Sequence, residues 1–172
     1  MKLWIAQGFG VGRIPVAPGT FGSVVGLGWL AALLCAKSWP VFIIGGVAGL
    51  VLSVWLCGEG ERMLHKKDPG SVVLDEIAAI PWCFVVAMSL AAAHQQHWPG
   101  PEYFFSRAHG LQTAGIFVLF RIFDIVKPWP VRQSQVLYGG LGITVDDFLA
   151  AIYVNLVVWI TSLFVPMTQS VH

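Results

Sequence analysis

Charge is what this 172-residue sequence has least of: Asp, Glu, Lys and Arg make up 11% of it, against roughly a quarter in soluble domains. A charged, water-facing surface of ordinary extent is thereby excluded. The net charge is +1 with no basic stripe, so a nucleic-acid partner is not expected. Cysteine is scarce too. Cys35, Cys57 and Cys83 lie in apolar runs without disulfide or metal-ligand spacing, and they read as small apolar fillers. Met1–Arg13 is too polar for a signal peptide, which leaves the first apolar helix as the expected insertion signal. Several phosphatase and nucleotide-binding signatures are also missing. The sequence has no Cys-x5-Arg phosphate loop and no DxDxT motif, and the glycines at Gly8, Gly10 and Gly12 lack a strand–turn–helix context.

What the chain has instead is hydrophobicity, at 56% of residues and a mean hydropathy of +0.74. Five apolar segments lie near 21–38, 40–58, 77–93, 111–126 and 148–166, most approaching the ~18–20 residues a helix needs to cross a bilayer. Unpaired backbone groups are not tolerated in lipid, so each segment is predicted helical. The expected fold is all-α: an integral membrane helical bundle of about four or five membrane helices, forming a single domain over 1–172. The first and fourth segments are the weakest, one glycine-rich and the other carrying Arg121 and Asp124. Gly22 with Gly26, and Gly45 with Gly49, have the spacing that lets helices approach closely. If the N-terminus is cytoplasmic and all five segments span, eight Lys and Arg residues fall inside and only Lys37 and Arg107 outside, which orients the chain. Trp39, Trp98 and Trp129 then fall at segment ends, where indoles sit at the interface. His94 and His97 lack a third ligand nearby, so their loop reads as interfacial rather than metal-binding.

In that orientation the polar motifs all face the cytoplasm. In the first, Ala17-Pro-Gly-Thr-Phe-Gly-Ser23, Thr20 or Ser23 is placed to cap a helix whose free amides make an anion site. The second runs from Lys66 to Asp75-Glu76, with Asp68-Pro69-Gly70 as a turn and Asp68 as a turn residue. Asp75 and Glu76 are enclosed by apolar neighbours, and acids in such a setting cost several kcal/mol unless they are paired or functional. In the third, Arg121, Asp124 and Lys127 recur every third residue, which on a helix is an ion-pair ladder. The fourth brings Asp146-Asp147 to the start of the last segment, where one of them is placed to cap it. Several carboxylates with two or three cations on one side of a membrane fit Mg²⁺ and a phosphate. Arg and Lys would then hold the phosphoryl oxygens in the transition state. A transporter or channel passing protons or cations is the alternative, but such proteins place their acids near the midplane.

The ordered blocks APGTFGS at 17–23, KDPGSVVLDE at 67–76, FRIFDIVKPWP at 120–130 and GGLGITVDD at 139–147 resemble the phosphatidylglycerophosphatase A family. The resemblance implies a Mg²⁺-dependent lipid phosphatase of the bacterial inner membrane that converts phosphatidylglycerophosphate to phosphatidylglycerol. It also implies that Asp75, Glu76, Asp124, Asp146 and Asp147 are the metal-holding, catalytic acids, with Arg121 and Lys127 as the family's cations. Arg13, Arg121 and Lys127 are the expected phosphate contacts, with Thr20 secondary. Attack by water is expected, with an aspartyl-phosphate as the rival route. The chain departs from the family pattern in Val131–Tyr138, which lacks an aspartate, and at Ala79 and Ala151, where glycine is common.

Overall fold

The computed structural model describes residues 1–164 and is all-helical over that range. Helix α1 (Lys2–Ala6) leads through a 3-10 stretch (Gly8–Arg13) to α2 (Pro18–Leu34), and α3 (Trp39–Leu64) follows. Then come α4 (Leu74–Ala79), a 3-10 segment (Ile80–Phe84) and α5 (Val85–Gln95). The chain continues with α6 (Pro101–Phe104), α7 (Gly110–Val126), α8 (Val131–Ser134) and α9 (Gly140–Phe164). Residues 165–166 of the fifth predicted segment, and His172, lie outside the described range.

Among the described residues, three helical stretches are long and apolar enough to cross a membrane: Trp39–Leu64, Leu74–Gln95 and Gly140–Phe164. The first and fourth predicted segments become α2 and α7, of 17 residues each, or about 25 Å at 1.5 Å per residue. The outward faces carry large apolar side chains, among them Ile44, Val51, Trp55, Ile160 and Leu163. An apolar exterior of this extent is membrane-protein chemistry.

Prolines set several boundaries. Pro18 and Pro40 stand in the first turns of α2 and α3, where a missing N–H costs nothing. Pro81 interrupts the Leu74–Gln95 stretch, which tightens to 3-10 geometry at Ile80–Phe84. Asn155 of α9 mends this break. It accepts from Val86 N–H at 2.8 Å and donates to the carbonyls of Trp82 and Ala151 at 2.7 and 2.8 Å.

Side-chain registers give the helix directions. α2 runs alongside α4, with Gly22 against Val73 and Gly26 against Ile80, and a Cβ at either glycine would come within 2.8 Å of the facing side chain. α3 runs antiparallel to α9, through Ser53–Thr144 (3.0 Å) and the Gly58–Gly140 crossing. α7 is antiparallel to α9, with Phe123 against Tyr153 and Lys127 against Asp146. The starts of α2, α4 and α9 and the ends of α3 and α7 therefore meet at one end of the bundle. One apolar cluster, including Leu56, Val73, Ile77 and Ile143, lies near that end. A larger one, built on Leu30, Phe42, Phe84, Phe104 and Phe120, fills the remainder. At the other end Lys37 pairs with Glu102 at 2.5 Å. Trp39 and Trp129 are exposed at helix ends as expected, whereas Trp98 packs against Phe42 inside the bundle.

Candidate active site

The end where the helices meet holds a cavity of about 280 Å³, lined by Asp75, Glu76, Arg121, Asp124, Lys127, Asp146 and Asp147 together with Ala17, Pro18 and Gly19. Four separated stretches of chain thus supply one site. Asp75 and Glu76 occupy the first turn of α4, where the positive end of the helix favours acids. Asp146 and Asp147 lie within α9, which begins six residues before Asp146 at Gly140. They cap nothing, contrary to the sequence expectation, because the glycine-rich stretch is itself helical. The tight α3–α9 crossing explains this: a Cβ on Gly140 would stand 2.0 Å from the Val54 carbonyl, so only glycine lets α9 begin there.

The charges are not distributed evenly. Arg121 pairs with Asp124 at 2.8 Å, one rung of the predicted ladder, and lies 3.9 Å from Glu76. Lys127 leaves the ladder. It takes a left-handed backbone (φ 47°) that ends α7, and its ammonium pairs with Asp146 of α9. Burial disfavours the charged lysine, but the hydrogen bond to Asp146 and the charges of Asp146, Asp147 and Asp124 outweigh it and hold the pKa above the ordinary value. Two acids are therefore matched to cations. Of the other three, Glu76 has only the longer 3.9 Å pairing with Arg121, and Asp75 and Asp147 have no cation partner among the described residues; all three present a carboxylate oxygen within 4.8 Å of one another. Asp75 Oδ1, Glu76 Oε2 and Asp147 Oδ2 are buried with no hydrogen-bond partner. Buried carboxylate oxygens left unpaired cost several kcal/mol, and crowded hard oxygens are the donor set of a divalent cation such as Mg²⁺.

Two predicted phosphate contacts lie elsewhere. Arg13 is exposed, held by Gln7 at 2.9 Å, and Thr20 is not in the cavity lining. Neither Thr20 nor Ser23 caps α2. Ser23 instead donates to the Gly19 carbonyl at 2.8 Å and accepts from Arg121 at 3.2 Å. Asp68, read as a turn residue, does sit in a strained turn (φ 45°), but it also lines the cavity. Gln135 gave no sequence signal. It reaches from the loop before α9 to donate to Asp146 at 3.0 Å and Asp68 at 3.4 Å, and it lies in the linker that lacks the aspartate expected from the family.

The family model for phosphatidylglycerophosphatase A matches residues 4–162. The chain belongs to the phosphatidylglycerophosphatase A family. It is 36% identical over 156 residues to the Haemophilus influenzae phosphatidylglycerophosphatase A, covering 90% of this chain and 85% of that protein. With the Escherichia coli phosphatidylglycerophosphatase A it shares 30% identity over 149 residues, covering 86% and 76% respectively. A putative phosphatidylinositol-3-phosphatase of Bacteroides thetaiotaomicron is 32% identical over 157 residues, covering 89% and 88%. No solved structure matches the chain. As a member of the phosphatidylglycerophosphatase A family the protein is an enzyme, a phosphatase, and the transporter alternative is not favoured.

Gly19 gives this phosphatase site a sharp test. A Cβ there would stand 2.2 Å from Glu76 Oε1 and 3.2 Å from an Arg121 nitrogen. Both are ends of flexible side chains, so Gly19→Ala is expected to fold while displacing the two charged groups. Phosphate release should fall about a hundredfold, the scale of a 1 Å misplacement, with thermal unfolding in detergent near that of the parent.

Proposed function

We propose that the protein hydrolyses the terminal phosphate of phosphatidylglycerophosphate, giving phosphatidylglycerol and inorganic phosphate, with Mg²⁺ as cofactor, at the cytoplasmic face of a bacterial inner membrane. The observation that carries this reading is the convergence of six carboxylates, Asp68 among them, one arginine and one lysine on a single cavity at one end of the bundle. The names of the Haemophilus and Escherichia relatives supply the substrate. Orientation rests on charge: eight of the ten Lys and Arg residues belong to the segments at the acidic end, and the positively charged end of a membrane protein stays inside. In this reading α2 and α7 accompany the three longer spans through the membrane.

Asp75, Glu76 and Asp147, each with an unpartnered buried oxygen, would hold the cation. Bound there, Mg²⁺ supplies charge neutralisation on the phosphoryl oxygens and acidifies the attacking water. Asp124 and Asp146 then have a different task, which is to aim Arg121 and Lys127 at the remaining phosphoryl oxygens. As water oxygen bonds to phosphorus, the bond from phosphorus to the glycerol oxygen breaks, and the glycerol oxygen leaves as the hydroxyl, taking the proton that the attacking water gives up. Charge spreads over the equatorial oxygens during this exchange, and two fixed cations in a site screened from water stabilise it without reorganising. Residues Ala17–Gly19 close the cavity on the α2 side.

The test is phosphate release from phosphatidylglycerophosphate by purified protein in detergent. Release should require Mg²⁺, stop with a chelator and return on readdition. Release that persists in chelator after exhaustive metal removal would rule out the cation assignment.

A further inference from the structure

We propose that Gln135 is a positioning residue for the phosphatase reaction: its carboxamide holds Asp146 in the orientation that keeps Lys127 aimed into the acid cavity. The inference rests on the phosphatase reading above.

The placement begins with a notch in α9. Gly142 lies four residues before Asp146, so the two positions share a face of the helix, one turn apart. The turn at 134–137, closed by a 3.0 Å bond from the Leu137 N–H to the Ser134 carbonyl, presses into that notch. A Cβ on Gly142 would stand 2.6 Å from the Leu137 carbonyl oxygen, so glycine is what admits the turn. Val131, fully buried, anchors the same stretch at its α8 end. Gln135 is thereby held within side-chain reach of Asp146.

Its Nε2 donates to Asp146 Oδ2 at 3.0 Å and to Asp68 Oδ2 at 3.4 Å, one hydrogen for each acid. Turning the amide over would set its oxygen against two carboxylates, so the acids themselves select this orientation. Asp146 Oδ1 accepts from the Asp147 N–H at 3.0 Å, and Oδ2 also takes the Lys127 ammonium. The carboxylate is thus pinned at both oxygens. Asp68 steadies the carboxamide in turn, because its own backbone N–H is bound to Glu61 Oε1 at 2.8 Å. A chain of contacts therefore runs from α3 through Asp68, Gln135 and Asp146 to Lys127, a cation of the cavity lining.

Neutrality matters at this position. A cation there would compete with Lys127 for Asp146, and an anion would repel both acids. An uncharged donor fixes the carboxylate and leaves the charge of Lys127 for the phosphoryl oxygens. Without it, Oδ2 keeps Lys127 alone, and the pair is free to swing away from the phosphate.

Two single variants and one altered background test this. Gln135 is only half-buried, so Gln135→Ala is expected to fold, and Gln135→Met keeps the length of the side chain without a donor. Both are assayed for release of radiolabelled phosphate from phosphatidylglycerophosphate in mixed micelles. In each, kcat should fall about tenfold, the scale of one hydrogen bond to a charged group, with KM within about threefold of the parent's. The decisive background is Lys127→Ala with Asp146→Asn, in which no ion pair is left to position. There Gln135→Ala should change the residual rate by less than about twofold, the non-additivity of residues acting through one another. A parent-like kcat in Gln135→Met, a loss carried by KM alone, or an undiminished tenfold loss in the pairless background each overturns the positioning role. Parent protein that releases no phosphate overturns the phosphatase reading, and the role of Gln135 falls with it.

Discussion

Asp75→Asn is expected to abolish phosphate release, by about a thousandfold or more, while making the metal-free protein more stable. The first effect follows from geometry: Asp75 shares a 4.8 Å neighbourhood with Glu76 and Asp147, and removing one of three converging carboxylates leaves the cation without a full set of hard ligands. Losing a preorganised charge in a dry site costs on this scale. The second follows from burial. Asp75 is 5% exposed, and its Oδ1 has no partner. With no cation bound, the three acids repel one another in a place where water cannot screen them. A neutral amide relieves that repulsion at nearly constant volume. Thermal unfolding in detergent with chelator should therefore move upward in the variant. Added Mg²⁺ should stabilise the parent through binding linkage and leave the variant nearly unmoved. A variant that unfolds earlier than the parent in chelator, or that retains activity, would contradict the assignment.

Lys127→Ala is expected to damage both activity and stability. Lys127 is the cationic partner of Asp146, whose side chain is 3% exposed. Without the lysine, a buried carboxylate keeps only Gln135 and its neighbour's backbone amide as donors. Breaking a buried pair by removing one member typically costs about 3–5 kcal/mol, visible as earlier thermal unfolding. Phosphate release should drop about a hundredfold to a thousandfold as one of two transition-state cations is lost. The double variant Lys127→Ala with Asp146→Asn should recover most of the stability and none of the activity, because the orphan charge is gone but the phosphate contact is not restored. If the double variant is no more stable than the single one, the pair is not what holds α7 against α9.

Much of this was legible in the chain. Scarce charge and long apolar runs dictate lipid-facing helices, because backbone groups in a bilayer have no water to turn to. The acids at 75–76, 124 and 146–147 stand out for the same reason: carboxylates beside apolar runs are expensive unless they serve something. The spacing of Gly22 and Gly26 foretold a close helix approach, and α2 does meet α4 there. Other features were hidden by their dependence on neighbours. Every-third spacing placed Arg121, Asp124 and Lys127 on one ladder, yet a left-handed residue at a helix end sends Lys127 to another helix. Gln135 sits in a short polar stretch without pattern, and only the fold brings its amide to Asp146. Arg13 was an expected phosphate contact, but the 3-10 stretch places it against Gln7. Asn155 carried no sequence signal, and its role exists only because Pro81 breaks the facing helix.

By itself, then, the amino-acid sequence determined the solvent this protein lives in, the helical character of its segments and the acids worth suspecting, because hydropathy and charge cost are local properties of the chain. The four motif blocks also carried the family. Only the tertiary structure decided which carboxylates sit close against cations and which converge with buried oxygens unpartnered, and the proposed chemistry rests on that division. Charge pairing depends on distances of a few ångströms between residues many positions apart, and those distances arise from helix packing rather than from local spacing.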